Sequence, residues 1–201
     1  MEKGRDTQLK SNFFTQDPLV CAQALLGCTL HHKECSGLVV ETEAYRAVGD
    51  EACHTFFKRN ARTFVDVNDA GGCYVYLNYG VHWLLNFLTR TAEDEEGFVL
   101  VRAVDPISGL ALMHQRRTKK KKLKDTDLCS GPGKLTQAFG IGPEYHETDL
   151  GSSESEVYFT ERDSQPEIIA GPRIGITKAA DLPWRYGVKG NRHISHPFPQ
   201  P

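Results

Sequence analysis

The side chains that could do chemistry gather in a few short stretches of the 201-residue sequence. Leu38–Tyr45 reads LVVETEAY, a strand pattern with Leu38, Val40, Thr42 and Ala44 on one face and Val39, Glu41, Glu43 and Tyr45 on the other. Two carboxylates and a phenol on one face could serve general acid–base work. By pattern alone, however, a solvated sheet face is the ordinary fate of strand acids. His54 closes DEACH, Tyr74, Tyr76 and Tyr79 lie in YVYLNY, and Arg102 interrupts an apolar run. Tyrosines on strands are most often half-buried core, and an isolated histidine is most often structural. Lys134 ends Ser130-Gly131-Pro132-Gly133-Lys134. That glycine spacing is not the G-x-x-x-x-G-K-[ST] of a phosphate-binding loop, but backbone amides at a helix start can still meet an anion.

The elements that must hold these groups follow from periodicity and punctuation. Pro18–Leu26 reads as a short helix with Asp17 as N-cap and Gly27 at its end. Residues 46–72 are polar and read as a long connection, of the kind that often carries function. Cys73–Tyr79, Val81–Leu88 and residues 97–104 read as three closely linked strands, with Arg90–Glu96 as an exposed acidic turn; this predicts a largely antiparallel sheet. A helix around Leu110 and Met113 leads into a basic block, seven Lys/Arg from Leu112 to Lys124 with no acid, which reads as a mobile loop over 117–127. Residues 147–167 reverse the sign, with seven acids against Arg162, and make poor nucleic-acid contacts. Gly171–Pro197 is basic again, with five Lys/Arg against Asp181, and its Gly and Pro residues suit a wrap over an existing sheet.

Cysteines 21, 28, 35, 53, 73 and 129 form no C-x-x-C pair, and the seven-residue steps of the first three match no common zinc spacing. With no signal-peptide pattern at Met1–Asp6, reduced thiols acting as small buried hydrophobes are expected. No apolar run is long enough for a membrane span. A hydrophobic content of 39% argues against wholesale disorder, and 24 Lys+Arg against 26 Asp+Glu (net −2) excludes a polycation without excluding a local basic face. No repeat or linker divides the chain, so one domain over 1–201 is expected, with 1–16 flexible.

Six blocks now stand in order: VVETEAY at 39–45, DEACH at 50–54, YVYLNYGVHWLLN at 74–86, VLVRAVDP at 99–106, LCSGPGKLTQAFGI at 128–141 and PRIGITKAADLPWRYGVKGN at 172–191. Together they resemble the alkyladenine (3-methyladenine) DNA glycosylase family, whose members remove alkylated and deaminated purines from DNA; the resemblance covers roughly residues 18–197. It implies an α+β single domain, a curved mostly antiparallel sheet with surrounding helices and a protruding hairpin that enters the minor groove. It implies double-stranded DNA containing damaged purines as partner, a monomer, no metal and no organic cofactor. The reaction implied is hydrolysis of the N-glycosidic bond, with no lysine nucleophile and therefore no strand cleavage.

Such chemistry needs a carboxylate beside a sugar carbon that gains cationic character, and a pocket for a nucleotide swung out of the stack. Glu43 matches the family's general base and Arg102 the arginine that helps hold the water. Tyr45, His54 and Tyr76 match the walls around the expelled base, where a cationic alkylpurine gains ~1–3 kcal/mol per good contact. Asn86 matches the asparagine that disfavours guanine, though a structural role for a buried Asn is nearly as common. Tyr79 matches the wedge that fills the vacated stack, and strand parity aims it away from Tyr74, Tyr76 and Asn78. Lys134, Arg173, Arg185, Lys189 and Arg192 are expected at DNA phosphates, with binding that weakens as salt rises. One stretch departs from the family: between His54 and Tyr74 an arginine- and asparagine-bearing motif with Met-Phe and a Gly-Pro turn is replaced by TFFKRNARTFVDVNDAGG, in which Lys58, Arg59 and Arg62 keep positive charge. A non-catalytic nucleic-acid-binding module and an RNA-processing hydrolase are the rival readings. The set Glu43, Arg102, Tyr76 and Tyr79 favours the glycosylase, because backbone binding needs no buried carboxylate. The short N-terminus suits a bacterial cytoplasm, and the Lys119–Lys122 run would suit a nucleus.

Overall fold

A computed structural model describes residues 6–118 and 123–199. In chain order the elements are α1 (Pro18–Ala24), β1 (Thr29–His32), β2 (Cys35–Arg46), α2 (His54–Phe57), α3 (Arg59–Val67), β3 (Cys73–Asn78) and β4 (His82–Arg90). They continue with β5 (Glu96–Ser108), α4 (Leu110–Arg117), α5 (Pro132–Phe139), β6 (Val157–Thr160), β7 (Ile168–Gly171) and β8 (Arg185–Val188). The strands form one antiparallel sheet in the order β3-β4-β5-β2-β1-β6, and β8, paired with β7, joins β2 as well. The fold is α+β with a curved antiparallel sheet. Asp17 caps α1 by accepting from Leu19 N at 2.8 Å, and Gly27 follows the helix at φ 85°. Ahead of α1, Gln8 bridges to Thr160 and Phe14 is buried in the core, so the segment expected to be flexible contributes packing from Gln8 onward.

Strand parity divides the interior in two. Along β5, Val99 and Val101 enter the main core, beneath which α1, α4 and α5 pack, while Phe98, Leu100 and Arg102 point to the other side. β3 and β4 repeat the division: Cys73, Val75, Leu85 and Phe87 face the main core, and Tyr74, Tyr76, Leu84 and Asn86 face away from it. On this second face a smaller core forms from Cys53, Ala61, Phe64, Val65, Leu88 and Phe98.

That smaller core corrects the reading of 46–72 as a connection. α2 and α3 occupy it, and Ala61, Phe64 and Val65 lie at i, i+3 and i+4 on the buried side of α3. The polar residues between them conceal an amphipathic helix. The basic block is also better anchored than a mobile loop requires. Arg117 donates to Leu128 O at 3.1 Å and Gln137 Oε1 at 2.8 Å, and Asp125–Asp127 forms a 3-10 turn; Lys119–Lys122 lie outside the described residues.

In β2 the expected alternation fails at one place. Val39 pairs with Val104, Glu41 with Ala103 and Thr42 with Val101, so Val40 and Arg102 are each left without a partner across the ladder. This pair of bulges lets Val39 share the main core with Ala44 while Glu41 and Glu43 face the other way. All six cysteines are buried, as small apolar fillers would be.

Phe64 is 3% exposed and packs against Tyr74, ring centroids 5.0 Å apart. Phe64→Ala is expected to cost about 3–5 kcal/mol in a denaturant unfolding measurement, since it opens the one core that α3 shares with the sheet. A loss below 1 kcal/mol would show that α3 is not held by this core.

Candidate active site

The two strand acids do not lie on a solvated face. Glu41 and Glu43 are both wholly buried, and each is surrounded by donors. Glu43 Oε1 accepts from the backbone N–H of Ile174 at 2.7 Å, while Oε2 accepts from the Tyr45 hydroxyl at 2.7 Å and pairs with Arg102 Nη1 at 3.1 Å. Arg102 turns its Nε to Glu41 at 3.2 Å and its Nη2 to Ser195 Oγ at 3.3 Å. Glu41 also pairs with Arg185 Nη1 at 2.9 Å and accepts from the backbone and hydroxyl of Ser195. Buried charges are tolerable only when paired and hydrogen-bonded, and this quartet meets both conditions. Burial works against the charge of Arg102, but Glu43 and Glu41 outweigh it and hold the guanidinium above its usual pKa.

Glu43 and Arg102 lie in the wall of a cavity of about 540 Å³, a size suited to a small-molecule-sized group. Tyr45, His54, Tyr76 and Asn86 line the same cavity, so the structure brings together the sequence-derived catalytic and pocket residues. His54 lies against Tyr76, centroids 4.4 Å apart, and its Nδ1 is 3.2 Å from the Tyr74 hydroxyl. Asn86 is buried and donates to the carbonyls of Tyr74 (3.2 Å) and Leu84 (3.4 Å), which leaves its carbonyl oxygen free of these bonds. Burial, with help from Glu43, raises Tyr45 well above the usual phenol range, and burial likewise raises Tyr76; both therefore remain O–H donors at neutral pH.

Tyr79 occupies the tip of the β3–β4 hairpin, 86% exposed. Tyr79 and Gly80 both adopt positive φ (49° and 67°), and the turn closes through Val81 N to Asn78 O at 3.1 Å. Left-handed backbone is uncommon for a bulky residue and costs on the order of 1–3 kcal/mol. It also modifies the parity expectation. Val75 points to the main core, but Tyr79 has left the strand and borders the same cavity as Tyr76.

Two of the five cations expected at phosphates are internal. Arg173 is fully buried, forks onto Asp50 (Nη2 to Oδ1 2.8 Å), and lies 4.5 Å above the Tyr45 ring and 5.0 Å above Trp184. Arg185 is 1% exposed, donates to Pro172 O, His196 O and Pro197 O besides Glu41, and stacks 3.8 Å over Phe198. Neither presents charge outward, because each is neutralised by a carboxylate in the interior. Lys134, Lys189 and Arg192 are exposed; Lys189 pairs with Glu167, and Lys134 lies in the first turn of α5, whose Pro132 borders the cavity. The supporting roles of Asp50, Ser195 and the Ile174 amide escaped sequence reasoning, which has no signal for a backbone donor or for which acid a distant arginine will meet. Among the described residues no group of three or more His, Cys, Asp and Glu could hold a metal ion, and no helix is long and apolar enough to cross a membrane.

Burial and the neighbouring Lys58 lower His54 from 6.5 to about 4. The native imidazole therefore stays neutral until pH approaches 4, whereas the unfolded chain takes the proton near 6.5. Stability should fall as pH drops through that interval. An NMR titration of His54 in the native state with a midpoint near 6.5 would contradict this.

Comparison with known proteins follows the same lines. The family model described as "Methylpurine-DNA glycosylase (MPG)" matches residues 12–192. A protein of Rhodopseudomonas palustris (strain BisB18) named "Putative 3-methyladenine DNA glycosylase" is 42% identical over 191 residues, covering 95% of this chain and 92% of its own length. Proteins of the same name from Bradyrhizobium diazoefficiens (41% identical; 96% and 92% covered) and Nitrosospira multiformis (39%; 94% and 94%) are similar over comparable spans. The aromatic cavity, the buried Glu43–Arg102 pair and a family match over nine-tenths of the sequence agree: this chain belongs to the methylpurine-DNA glycosylase family.

Proposed function

We propose that this protein hydrolyses the N-glycosidic bond of damaged purines in duplex DNA after the nucleotide has swung out of the helix, and that it leaves an abasic site without cutting the strand. The observation that carries the reading is Glu43, a buried carboxylate held by three donors in the wall of a cavity faced with tyrosine and histidine. A carboxylate has about four lone-pair positions. The Tyr45 hydroxyl and Arg102 occupy Oε2, and the Ile174 amide takes one position on Oε1, so a single acceptor position on Oε1 remains for a water proton. Glu43 would take that proton as the water oxygen bonds to the anomeric carbon, and its charge would oppose the positive charge growing on the sugar. Arg102 acts as positioning residue and counter-charge.

Tyr45, His54 and Tyr76 would receive the extruded base, with His54 neutral and able to hydrogen-bond its edge, and Asn86, its amide fixed by the carbonyls of Tyr74 and Leu84, would disfavour an unwanted exocyclic amine by occupying the space it needs. Tyr79 would fill the gap left in the stack. Its strained backbone and near-complete exposure, unhelpful to folding, support a role that appears only in the complex. Lys134, Lys189 and Arg192 would meet phosphates.

Glu43→Gln is expected to lower single-turnover release of 3-methyladenine, 7-methylguanine or hypoxanthine by at least a hundredfold while binding to lesion-bearing duplex survives. Near-normal cleavage would refute the assignment, and release from RNA rather than DNA duplex would move the protein to another class. Tyr79→Gly separates wedge from scaffold: it should leave Tm unchanged or raised, by relieving the left-handed backbone, yet weaken lesion-duplex affinity at least tenfold. Equal affinity of variant and wild type would remove the wedge role.

A further inference from the structure

We infer that Lys58 selects the charge of the base this cavity accepts, favouring neutral 6-oxopurines over cationic N-alkylpurines. The inference rests on the reading above, that the cavity receives a purine. Five charged groups line it, and four are matched: Glu43 with Arg102 at 3.1 Å, and Glu51 with Lys178 at 3.4 Å. Lys58 remains, with no carboxylate at ion-pair distance among the described residues. Its Nζ lies 5.0 Å above the Tyr76 centroid and 5.9 Å from that of Phe57.

An aromatic wall attracts a cationic base through the negative face of its ring. Here that resource is already engaged. Lys58 lies over Tyr76, and Arg173 lies 4.5 Å over Tyr45, so the two tyrosine walls are each polarised by a cation of the protein itself. A methylated purine bearing positive charge would also meet the repulsion of the Lys58 ammonium, undiminished by any neighbouring acid and in a setting that excludes part of the solvent. A neutral purine meets the opposite field. As the C1′–N9 bond breaks, its electron pair passes to the purine; water supplies the oxygen that bonds to C1′ and gives its proton to Glu43. The ammonium faces the negative charge gained by the ring and its 6-oxygen, keeps its own protons, and the departed anion is protonated by solvent. Neutral His54, whose carbonyl accepts from Lys58 N at 2.7 Å, adds no competing charge to that wall.

The test compares kcat/KM for duplexes carrying hypoxanthine and 7-methylguanine. Lys58→Met keeps the apolar stem and should shift the ratio at least tenfold toward the methylated base, while Lys58→Arg keeps the wild-type ratio. An unchanged ratio in Lys58→Met, including a parallel fall on both substrates as a merely structural role would give, overturns the inference. Wild-type protein that releases 7-methylguanine but not hypoxanthine also overturns it, leaving the glycosylase reading intact. Wild-type protein that releases neither overturns that reading and this inference with it.

Discussion

The site depends on a run of four alternating charges, Glu43, Arg102, Glu41 and Arg185, sealed inside the protein. Desolvating two carboxylates and two guanidiniums costs several kcal/mol per ion, and their attraction offsets this only when the remaining polar atoms are also bonded. They are, and the bonds come from widely separated parts of the chain: β2 and β5 give the acids and Arg102, β8 gives Arg185, and the C-terminal wrap supplies Ser195 and the Ile174 amide. A buried acid at position 43 is thus a property of the finished tertiary structure. Remove the wrap and Glu41 loses its Ser195 donors, Arg102 loses the Ser195 partner of its Nη2, and Glu43 loses the Ile174 amide.

Two bulges direct this network. A regular ladder through Val39–Thr42 would put Val39 on the face of the acids or the acids in the apolar core; the unpaired Val40 and Arg102 avoid both outcomes by changing parity once in each strand. A bulge of this kind has no periodic signature, because a single extra residue within an apolar run looks like any other residue. What was legible lay where local physics decides. The Asp17-capped helix, the three aromatic strands and the hairpin at Gly80 follow from capping, alternation and turn chemistry, and the structure places them where those rules do. α3 was hidden because its apolar residues are few and its polar ones many. Arg173 and Arg185 were misread because charge can be read from a sequence but pairing cannot: nothing at position 185 indicates that Glu41 will lie beneath it.

The inward use of those two arginines alters the electrostatics of DNA binding. The chain carries a net charge of −2, and two cations that would have enriched its basic C-terminal face are spent in the interior. Lys189 is further offset by Glu167. On the proposed reading, each phosphate contact would contribute to affinity through counterion release, so fewer outward cations would mean a shallower salt dependence and a larger share of binding from apolar insertion and pocket contacts. The hairpin suits that division. Leu77, Tyr79 and Val81 are all exposed at the hairpin end, and Tyr79 and the exposed Phe57 both border the cavity.

The carboxylate and the base wall are also not separate parts. Tyr45 donates its hydroxyl to Glu43 while its ring lines the cavity and rests on Arg173, which in turn is fixed by Asp50. Burial holds the Tyr45 proton in place, so the link persists across the working pH range. On the proposed reading, the distance between the ring that contacts the base and the oxygen that faces the sugar is then set by one short side chain and one hydrogen bond. A purine seated against Tyr45 brings its glycosidic bond to a fixed position relative to Glu43, and reaction geometry follows from base recognition without a moving lid. The same coupling explains why Arg173 is worth burying. Placed at a phosphate it would add one contact to the backbone; beneath Tyr45 it fixes the ring that, on the same reading, would couple recognition to hydrolysis.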